Sequence, residues 1–363
     1  MARRGCEPGL LRRKQGPGLA DHAHPFFRLS ASDRAEALAV AADASGRPAE
    51  ILEKDVWVVW TLRALFESPF GDQLCFRGGT SLSKAHHLIT RFSEDVDVTY
   101  DIRALLQEEL GIAQGEVLPA TRSQADKWKG LIRGRLPRWI DDTALRAVRR
   151  RLDAEAAPAT VRREGDTLHV EYERSGASAT EYLSPRILVD FGARSTGQPS
   201  VRLPVSCDAA RHLPDLEFPT GTPSVMTAER TFWEKATAAH AFCLDERLRG
   251  ERFARHWYDL VCLDAAGVAQ RALLDRALGR TVARHKIWFF PVKAGAGRPI
   301  DYLDAVEGRL RLVPLGPALE SLRHDYDRTV EAGLLEKPAR RFEDVMDACR
   351  ALEKRANGPP GLS

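Results

Sequence analysis

The chain has 363 residues, of which 44% are hydrophobic and 29% charged, with a formal net charge of +3 at pH 7. This composition is that of a soluble globular protein with one large or two smaller domains, and the small net charge excludes a uniformly basic nucleic-acid binder. No segment has the apolar core of a signal peptide or the length of a membrane span, so we expect a cytoplasmic protein without membrane contact.

The six cysteines are isolated, since the sequence contains no CxxC motif and no Cys/His cluster with zinc spacing. Such cysteines are typical of reduced thiols in a cytosolic protein. We therefore predict no zinc site.

The N-terminal part begins with a tail and two helices. Residues 1–28 are basic and rich in glycine and proline, which predicts a flexible tail; a weak role in holding nucleic acid is the alternative. Ser30 precedes an alanine-rich helical pattern and is its predicted N-cap. A second helix is predicted from Pro48 to Phe66, where apolar residues keep helical spacing, and residues 68–71 form the turn that ends it.

A glycine pair follows the first predicted strand, residues 74–76. The sequence reads RGGTSLSK from Arg77 to Lys84, and a helix is predicted over residues 81–89. Backbone N–H groups at a helix N-terminus after paired glycines form an anion site, to which hydroxyls and a lysine add donors and charge. The candidate phosphate-binding residues are Gly78, Gly79, Thr80, Ser81 and Lys84. Taken alone, a Gly-Gly turn with a Ser/Thr N-cap is also a common structural turn.

Two aspartates lie on one face of the next predicted strand, residues 94–100. Asp95 and Asp97 are separated by one residue, so their side chains point together, and their charges repel unless a cation lies between them. Mg²⁺ is the usual cation, because it takes oxygen ligands and is commonly shared between carboxylates and substrate phosphates.

A third acid, Asp190, ends the predicted apolar strand 186–191. If that strand neighbours the strand of Asp95 and Asp97, Asp190 would complete a two-metal site or accept the proton of an attacking hydroxyl. A structural cap at the strand end is the alternative.

The remaining predicted elements follow in two blocks. Residues 119–163 form a basic, mostly helical stretch, and residues 168–173 form a strand. After the proline-rich passage 199–224 the pattern becomes helical, with predicted helices at 226–247, 251–266, 269–282, 301–311, 316–332 and 342–356. The sequence therefore predicts a mixed α/β part followed by a helical part.

Two charged residues of the helical part are further candidates. Lys235 lies one turn after Thr231 in ERTFWEKATAAH, and Asp259 lies four residues after Arg255 in RHWYDL. A solvated surface lysine and a helical salt bridge between Arg255 and Asp259 are the structural alternatives, between which periodicity does not decide.

Taken in order, RGGTSLSK, RFSEDVDV, ILVDFGAR, ERTFWEKATAAH and RHWYDL resemble the nucleotidyltransferase toxins of the AbiEii/AbiGii (MenA-like) family, from about residue 48 to the last helix. The resemblance implies an α+β fold with a nucleotidyltransferase core of the DNA polymerase β type at residues 29–200. A helical domain at 225–357 would close over the site.

The implied activity is that of a toxin from bacterial toxin–antitoxin and phage-defence systems. Such a toxin would transfer nucleotides from an NTP to the 3′ acceptor end of tRNA and so block translation. Mg²⁺, with Mn²⁺ as a substitute, is the implied cofactor, and an AbiEi-like antitoxin is the implied partner.

The resemblance also implies roles for individual residues. Ser81, with Gly79, would contact the triphosphate, while Asp95 and Asp97 would be the metal ligands. Lys235 would bind the nucleotide phosphates, and Asp259 would orient Lys235 or the nucleotide. Asp190 would be the third acid of the site. The basic stretch 119–163 would suit a tRNA backbone, although a helix with a solvated basic face explains it equally well.

Two other functions stay open on the sequence alone. The same fold can modify a protein or a small-molecule hydroxyl, and a chain of this kind can also be a nucleotide- or antitoxin-binding module without turnover. The pairing of Asp95 and Asp97 with Lys235 and Asp259 favours an enzyme.

Overall fold

The computed structural model describes residues 24–91, 93, 95–176, 184–245, 253–294, 297–335 and 338–358. The predicted tail lies outside the described residues as far as residue 23. Its last residues, 24–28, are structured: His24–Pro25 pairs with Leu216–Glu217, and Phe26 is buried.

The architecture is α+β with a mixed sheet, as predicted. The helices are α1 Ala31–Ser45, α2 Ala49–Phe66, α3 Gly78–Lys84, α4 Ile102–Leu105, α5 Gln107–Leu110, α6 Arg122–Trp139, α7 Leu145–Glu155, α8 Ala228–Leu244, α9 Arg255–Ala265, α10 Val268–Leu274, α11 Arg276–Phe289, α12 Pro317–Glu331 and α13 Phe342–Asn357. The strands are β1 His24–Pro25, β2 Leu74–Arg77, β3 Val96–Tyr100, β4 Ala159–Glu164, β5 Thr167–Tyr172, β6 Arg186–Gly192, β7 Ser200–Arg202, β8 Val205–Ser206, β9 Leu216–Glu217, β10 Thr220–Gly221 and β11 Ser224–Met226.

The main sheet has seven strands in the order β4-β5-β6-β3-β2-β11-β7. Its central strand β3 lies antiparallel to β2 and parallel to β6. The outer strands β7 and β11 come from residues 200–226, so the sheet extends beyond residue 200. The predicted limits of two domains, 29–200 and 225–357, stay a prediction.

The helix after the glycine pair differs from its prediction over residues 81–89. It begins at Gly78 and ends at Lys84, because Gly78 adopts φ +81° and turns the chain straight from β2 into the helix. His87 has φ +53°, which a continuing α-helix does not allow. The helix is therefore shorter and starts earlier than the apolar spacing indicated.

Two other predicted helices and the end of the basic stretch are also revised. The helix predicted at 269–282 is two helices, α10 and α11, separated at Asp275, whose side chain accepts from the Leu278 N–H and caps α11. The predicted helix at 301–311 is a short 3₁₀ turn, Tyr302–Ala305. The end of the basic stretch, residues 159–163, belongs to strand β4.

The hydrophobic core consists of two clusters. The first lies around the sheet and α2, and the second among the C-terminal helices. Each cluster also takes side chains from the other half of the chain: Leu82 of α3 and Ile89 pack in the helical cluster, and Phe289 of α11 packs in the sheet cluster. Within the part of the chain that the structure describes, no helix has both the length and the hydropathy needed to cross a membrane.

Candidate functional site

A cleft of about 740 Å³ lies where the sheet meets the C-terminal helices. One wall comes from the glycine turn and from β3, and the other from α8, α9 and α11. Five of the predicted site residues line it: Gly78, Gly79, Asp95, Asp97 and Lys235. The fold thus brings together residues that are about 140 positions apart in sequence.

The two glycines are needed because other side chains lie against their backbone. A Cβ atom on Gly78 would stand 2.2 Å from Asp97 Oδ2, and one on Gly79 would stand 2.3 Å from Arg91 Nη2. Gly78 also has φ +81°, a conformation that L-residues with a side chain rarely adopt. The glycine pair therefore lets the turn approach the carboxylate of Asp97 closely.

Asp97 lies on β3 with its side chain about one third exposed, and Arg77 Nη2 is 3.7 Å from its Oδ1. Burial raises the pKa of Asp97, and Asp190 raises it further, against the opposing effect of Arg77. The negative charge of Asp97 is thus incompletely compensated by protein groups. Asp95 comes directly before β3 and lines the same cleft.

Asp190 lies beside Asp97, since the two residues are direct partners in the parallel ladder of β3 and β6. Its Oδ1 accepts a hydrogen bond of 2.6 Å from the Thr167 hydroxyl. Asp190 is not among the residues that line the cleft. The structure therefore places it next to the pair of aspartates, where it acts on Asp97 through its charge.

Lys235 on α8 and Asp259 on α9 form an ion pair of 2.8 Å between Nζ and Oδ2. The Arg91 guanidinium donates two hydrogen bonds to the same carboxylate, from Nε to Oδ1 at 2.6 Å and from Nη2 to Oδ2 at 2.8 Å. Asp259 is fully buried, and burial alone would raise its pKa; Arg91 and Lys235 outweigh this effect and hold the pKa well below its usual range. Asp259 is thus a buried anion that orients two cations of the cleft wall.

Two of the predicted phosphate ligands, Ser81 and Thr80, donate their hydroxyl hydrogen bonds to backbone carbonyls of the protein. Ser81 is fully buried and donates to the carbonyl of Gly78 at 2.9 Å. Thr80, also fully buried, donates to the carbonyl of Asp95 at 2.5 Å. Both hydroxyls hold the turn and the DxD segment together, so their predicted contact with phosphate needs a rearrangement of these hydrogen bonds.

Lys84 lies outside the cleft, in a buried ion cluster behind α3. Its Nζ is 2.6 Å from Asp55 Oδ1 and 2.8 Å from Asp208 Oδ1. These two carboxylate partners anchor α3 to the body of the protein through Lys84. The structure does not bring Lys84 to the cleft, and its role at the phosphates stays a prediction that this position does not support.

The other wall of the cleft adds a second lysine and a histidine. Lys286 on α11 donates to the carbonyl of Glu234 at 2.6 Å, and burial lowers the pKa of Lys286 to about 8. His256 on α9 also lines the cleft; burial, and after it Lys235, hold its pKa well below the usual range, so the ring is neutral. The cleft therefore has two lysines and four arginines, Arg77, Arg91, Arg194 and Arg255, in its wall.

The residues present fit a divalent cation that is shared with a substrate. Among the described residues, no group of three or more His, Cys, Asp or Glu side chains could hold a metal ion. Asp95 and Asp97 supply two hard oxygen donors to the cleft. Burial, and with it the nearby charge of Asp190, raises the pKa of Asp97, and a bound cation would counter both effects. Two carboxylates that share Mg²⁺ with phosphate oxygens are a common arrangement for this ion.

Sequence reasoning missed Arg91, Arg77 and Lys286. The ion pair of Arg91 with Asp259 joins residues 168 positions apart, and no spacing rule reaches that far. The one available signal was the acid within the apolar helix segment WYDLVCL, which requires a buried cation as a partner. The chain offers 54 lysines and arginines for that place, so the pattern alone does not select one.

The chain is similar to known nucleotidyltransferase toxins in sequence family and in structure. The family described as nucleotidyl transferase AbiEii toxin, type IV TA system, matches residues 60–348. Among solved structures, the chain is similar to MenT4, a nucleotidyltransferase toxin from Mycobacterium tuberculosis H37Rv. The sequence identity is 19% and the TM-score 0.36, over 87% of this chain and 98% of that one. No curated protein sequence matches the chain.

Proposed function

The chain belongs to the AbiEii family of nucleotidyltransferase toxins of type IV toxin–antitoxin systems, and on this basis we propose that it transfers a nucleotide from an NTP to the 3′ acceptor end of tRNA. This transfer would block aminoacylation and translation in the cytoplasm, with an AbiEi-like antitoxin as the cognate partner. The observation that carries the proposal is the cleft that joins Asp95 and Asp97 with Lys235.

The proposed reaction is a displacement at the α-phosphate. The acceptor 3′-hydroxyl oxygen forms a bond to the α-phosphorus, and the bond from that phosphorus to the bridging oxygen breaks. Pyrophosphate leaves, and the hydroxyl proton goes to solvent or to a carboxylate. Positioning and charge compensation supply most of the rate in such reactions.

The cations of the cleft are suited to the triphosphate. Lys235 is held by Asp259, which fixes its ammonium group at the cleft wall. Arg91 is fixed by the same carboxylate and touches the backbone of Gly79. Lys235 and Arg91 would therefore meet the phosphates as prearranged charges rather than as flexible surface side chains.

Asp95 and Asp97 would hold Mg²⁺, or Mn²⁺ in its place. When bound, the ion would neutralise phosphate charge and lower the pKa of the attacking hydroxyl. Asp190, beside Asp97, raises the negative potential there and so favours cation binding. Thr80 holds the carbonyl of Asp95 and thereby fixes the start of the DxD segment.

The test is incubation of the purified chain with each of the four labelled NTPs, total tRNA and Mg²⁺ or Mn²⁺. Label on the 3′ end of tRNA is the expected result. Absence of label with every NTP and both ions would sink the proposal, and label on protein instead of tRNA would redirect it to a different acceptor.

Two variants show whether the transfer belongs to this cleft. Asp95→Ala is expected to abolish the transfer. Asp97→Asn is expected to lower it by at least about a hundredfold, the order of loss seen when one group that stabilises charge in a transition state is removed. Because the folded protein raises the pKa of Asp97, the charged form costs stability at neutral pH, so Asp97→Asn should unfold at the same urea concentration or a higher one.

A further inference from the structure

Phe290, at the edge of the cleft, is an exposed aromatic side chain. Among the described residues, six large hydrophobic side chains are exposed, and Phe290, with 43% exposure, is the aromatic one among them. It is also the one of these six that lines the cleft. A single exposed apolar side chain is ordinary on a protein surface. The place of this ring in the lining of the cleft is what points to a ligand, because binding clefts combine aromatic side chains with a few polar groups.

The backbone of Phe290 is held in a fixed place. Phe290 directly follows α11, and its backbone N–H donates to the carbonyl of Lys286 at 2.8 Å. The Tyr302 hydroxyl donates to the carbonyl of Phe290, also at 2.8 Å. Both backbone groups of the residue are thus bound, so the attachment point of the ring at the cleft edge is fixed.

A guanidinium group lies over the same ring. The central carbon of the Arg194 guanidinium is 5.1 Å from the ring centre of Phe290. His285, on α11, donates through Nε2 to the carbonyl of Arg194 at 2.9 Å, which ties the segment after β6 to the helix that carries the ring. Arg194 and Phe290 are therefore positioned relative to each other by a contact between two elements of the fold.

The pair lies in the same cleft as the aspartates. Asp97 is the ladder partner of Asp190, and Arg194 follows Asp190 by four residues, a stretch that spans at most about 14 Å when fully extended. Asp97, Arg194 and Phe290 line the same cleft. A nucleotide with its phosphates at the aspartates would therefore share this cleft with the ring and the guanidinium group.

We propose that Phe290 and Arg194 form a stacking platform for a nucleobase. Aromatic rings and planar guanidinium groups both stack on bases, and such stacking accepts every base because each has a π face. The proposal rests on the proposed nucleotidyl transfer, since it assumes that a nucleotide enters this cleft. The base comes either from the incoming NTP or from the last nucleotide of the acceptor strand.

The experiment measures binding without turnover, by calorimetry on the whole chain. The ligands are each NTP alone, inorganic tripolyphosphate alone, and a single-stranded RNA tetranucleotide with the tRNA acceptor sequence alone. The variants are Phe290→Ala, Phe290→Trp and, as a matched control, Leu315→Ala, which removes a side chain of 80% exposure outside the cleft lining.

Phe290→Ala is expected to weaken the binding of a base-containing ligand about tenfold, while tripolyphosphate binds as before. Phe290→Trp should keep the native affinity, and Leu315→Ala should change nothing. Loss with the NTPs assigns the platform to the incoming base, and loss with the RNA alone assigns it to the acceptor base. Unchanged binding of both, or an equal loss with tripolyphosphate, overturns the proposal.

The two proposals fail separately in these experiments. If Phe290→Ala weakens base-dependent binding but the native chain transfers no label to tRNA, the platform stands and the transfer reaction falls. If label is transferred and Phe290→Ala binds every ligand like the native chain, the reaction stands and the platform falls.

Discussion

Asp259 is fully buried and yet stays charged, because Arg91 and Lys235 bind it from two sides. A buried carboxylate without partners would be protonated at neutral pH. Arg91 and Lys235 therefore keep Asp259 ionised, and the ionised carboxylate in turn holds the two cations in place. The position of Lys235 in the cleft depends on a residue that lies behind the cleft wall.

Replacement of Asp259 by Asn should affect stability and activity together. It leaves two buried cations without their counterion, so we expect a loss of about 3–5 kcal/mol in the free energy of unfolding and a strong loss of transfer. Asp264→Asn, in the same helix, removes a partly exposed pair with Arg355 and should cost less than about 1 kcal/mol. Urea unfolding of both variants is the measurement; equal losses would contradict the assignment.

The pH dependence of this contribution has a defined sign. Because the folded protein lowers the pKa of Asp259, the stabilisation is fully present above the pKa of the unfolded chain, about 4. It is lost as the pH falls below that value. The difference in stability between the native chain and Asp259→Asn should therefore shrink in acid.

Lys286 should make phosphate binding sensitive to mildly alkaline pH. Burial lowers its pKa to about 8, so its positive charge is lost above that value. We expect the affinity for tripolyphosphate to fall between pH 7.5, which lies about half a unit below that pKa, and pH 9, which lies about one unit above it. Lys286→Met should bind more weakly and without this pH dependence, as measured by calorimetry.

The contribution of Lys286 to the stability of the ligand-free protein should rise with pH, whereas the affinity for tripolyphosphate falls. A lysine with a lowered folded pKa binds fewer protons in the folded state than in the unfolded state between pH 8 and about 10.4. Its contribution to the free energy of unfolding therefore rises with pH in this window. A fall in both affinity and this contribution would contradict the assignment to Lys286.

Residue patterns within a few positions were readable from the sequence. The spacing of Asp95 and Asp97 predicted that they share a face, and both line the cleft. The ion pairs of Lys84 with Asp55 and Asp208 were not readable in this way, because its neighbours in sequence give no sign of these partners. Contacts between distant charged residues are set by tertiary packing, which no local pattern contains.

Among the elements, the turn from β2 into α3 is sensitive to substitution at Gly78. Gly78→Ala would place a methyl group on Asp97 Oδ2 and would also strain a backbone with φ +81°. We expect the transfer reaction to be lost, because the carboxylate has to move. A labelled-NTP assay together with thermal unfolding measures both effects.

Gly46→Ala is the matched control for this prediction. Gly46 has φ +70°, similar to that of Gly78, but no atom lies within 4 Å of an added Cβ. The substitution should cost roughly 1–2 kcal/mol of stability from backbone strain and leave the transfer unchanged. Full transfer by Gly78→Ala would show that Asp97 tolerates displacement.

Helices with regular apolar spacing were predicted best from the sequence. The residues at which helices begin and end were predicted least well. The caps at Ser30 and the apolar spacing of α2 located the first two helices. The helix after the glycines was placed too late, since its start depends on the positive φ of Gly78, and glycine allows this angle without requiring it. The break at Asp275 depends on a side-chain cap that apolar spacing does not show.

At the scale of the whole molecule, the cleft needs both hydrophobic clusters. Its glycines and aspartates come from the sheet side, while Lys235 and His256 come from the helical side. A nucleotide should therefore bind only when both clusters are folded. At a ligand concentration of 100 times the dissociation constant, we expect the free energy of unfolding to rise by about 2.7 kcal/mol.

Urea unfolding with and without an NTP and Mg²⁺ measures this linkage. Lys235→Met, at the same NTP concentration, should show a much smaller rise, because the cleft loses one of its fixed cations. Lys354→Met, at the last turn of α13 and outside the cleft lining, should show the full rise. A full rise with Lys235→Met would place the nucleotide elsewhere.

The exchange of Leu82 and Phe289 between the clusters has a consequence for motion. A hinge movement that separated the two sides of the cleft would pull Leu82 out of the helical cluster and Phe289 out of the sheet cluster. Exposing each side chain would cost about 1.5–3 kcal/mol. The cleft should therefore keep nearly the same width with and without substrate, and selection among substrates should depend on their fit to this width rather than on a closing movement.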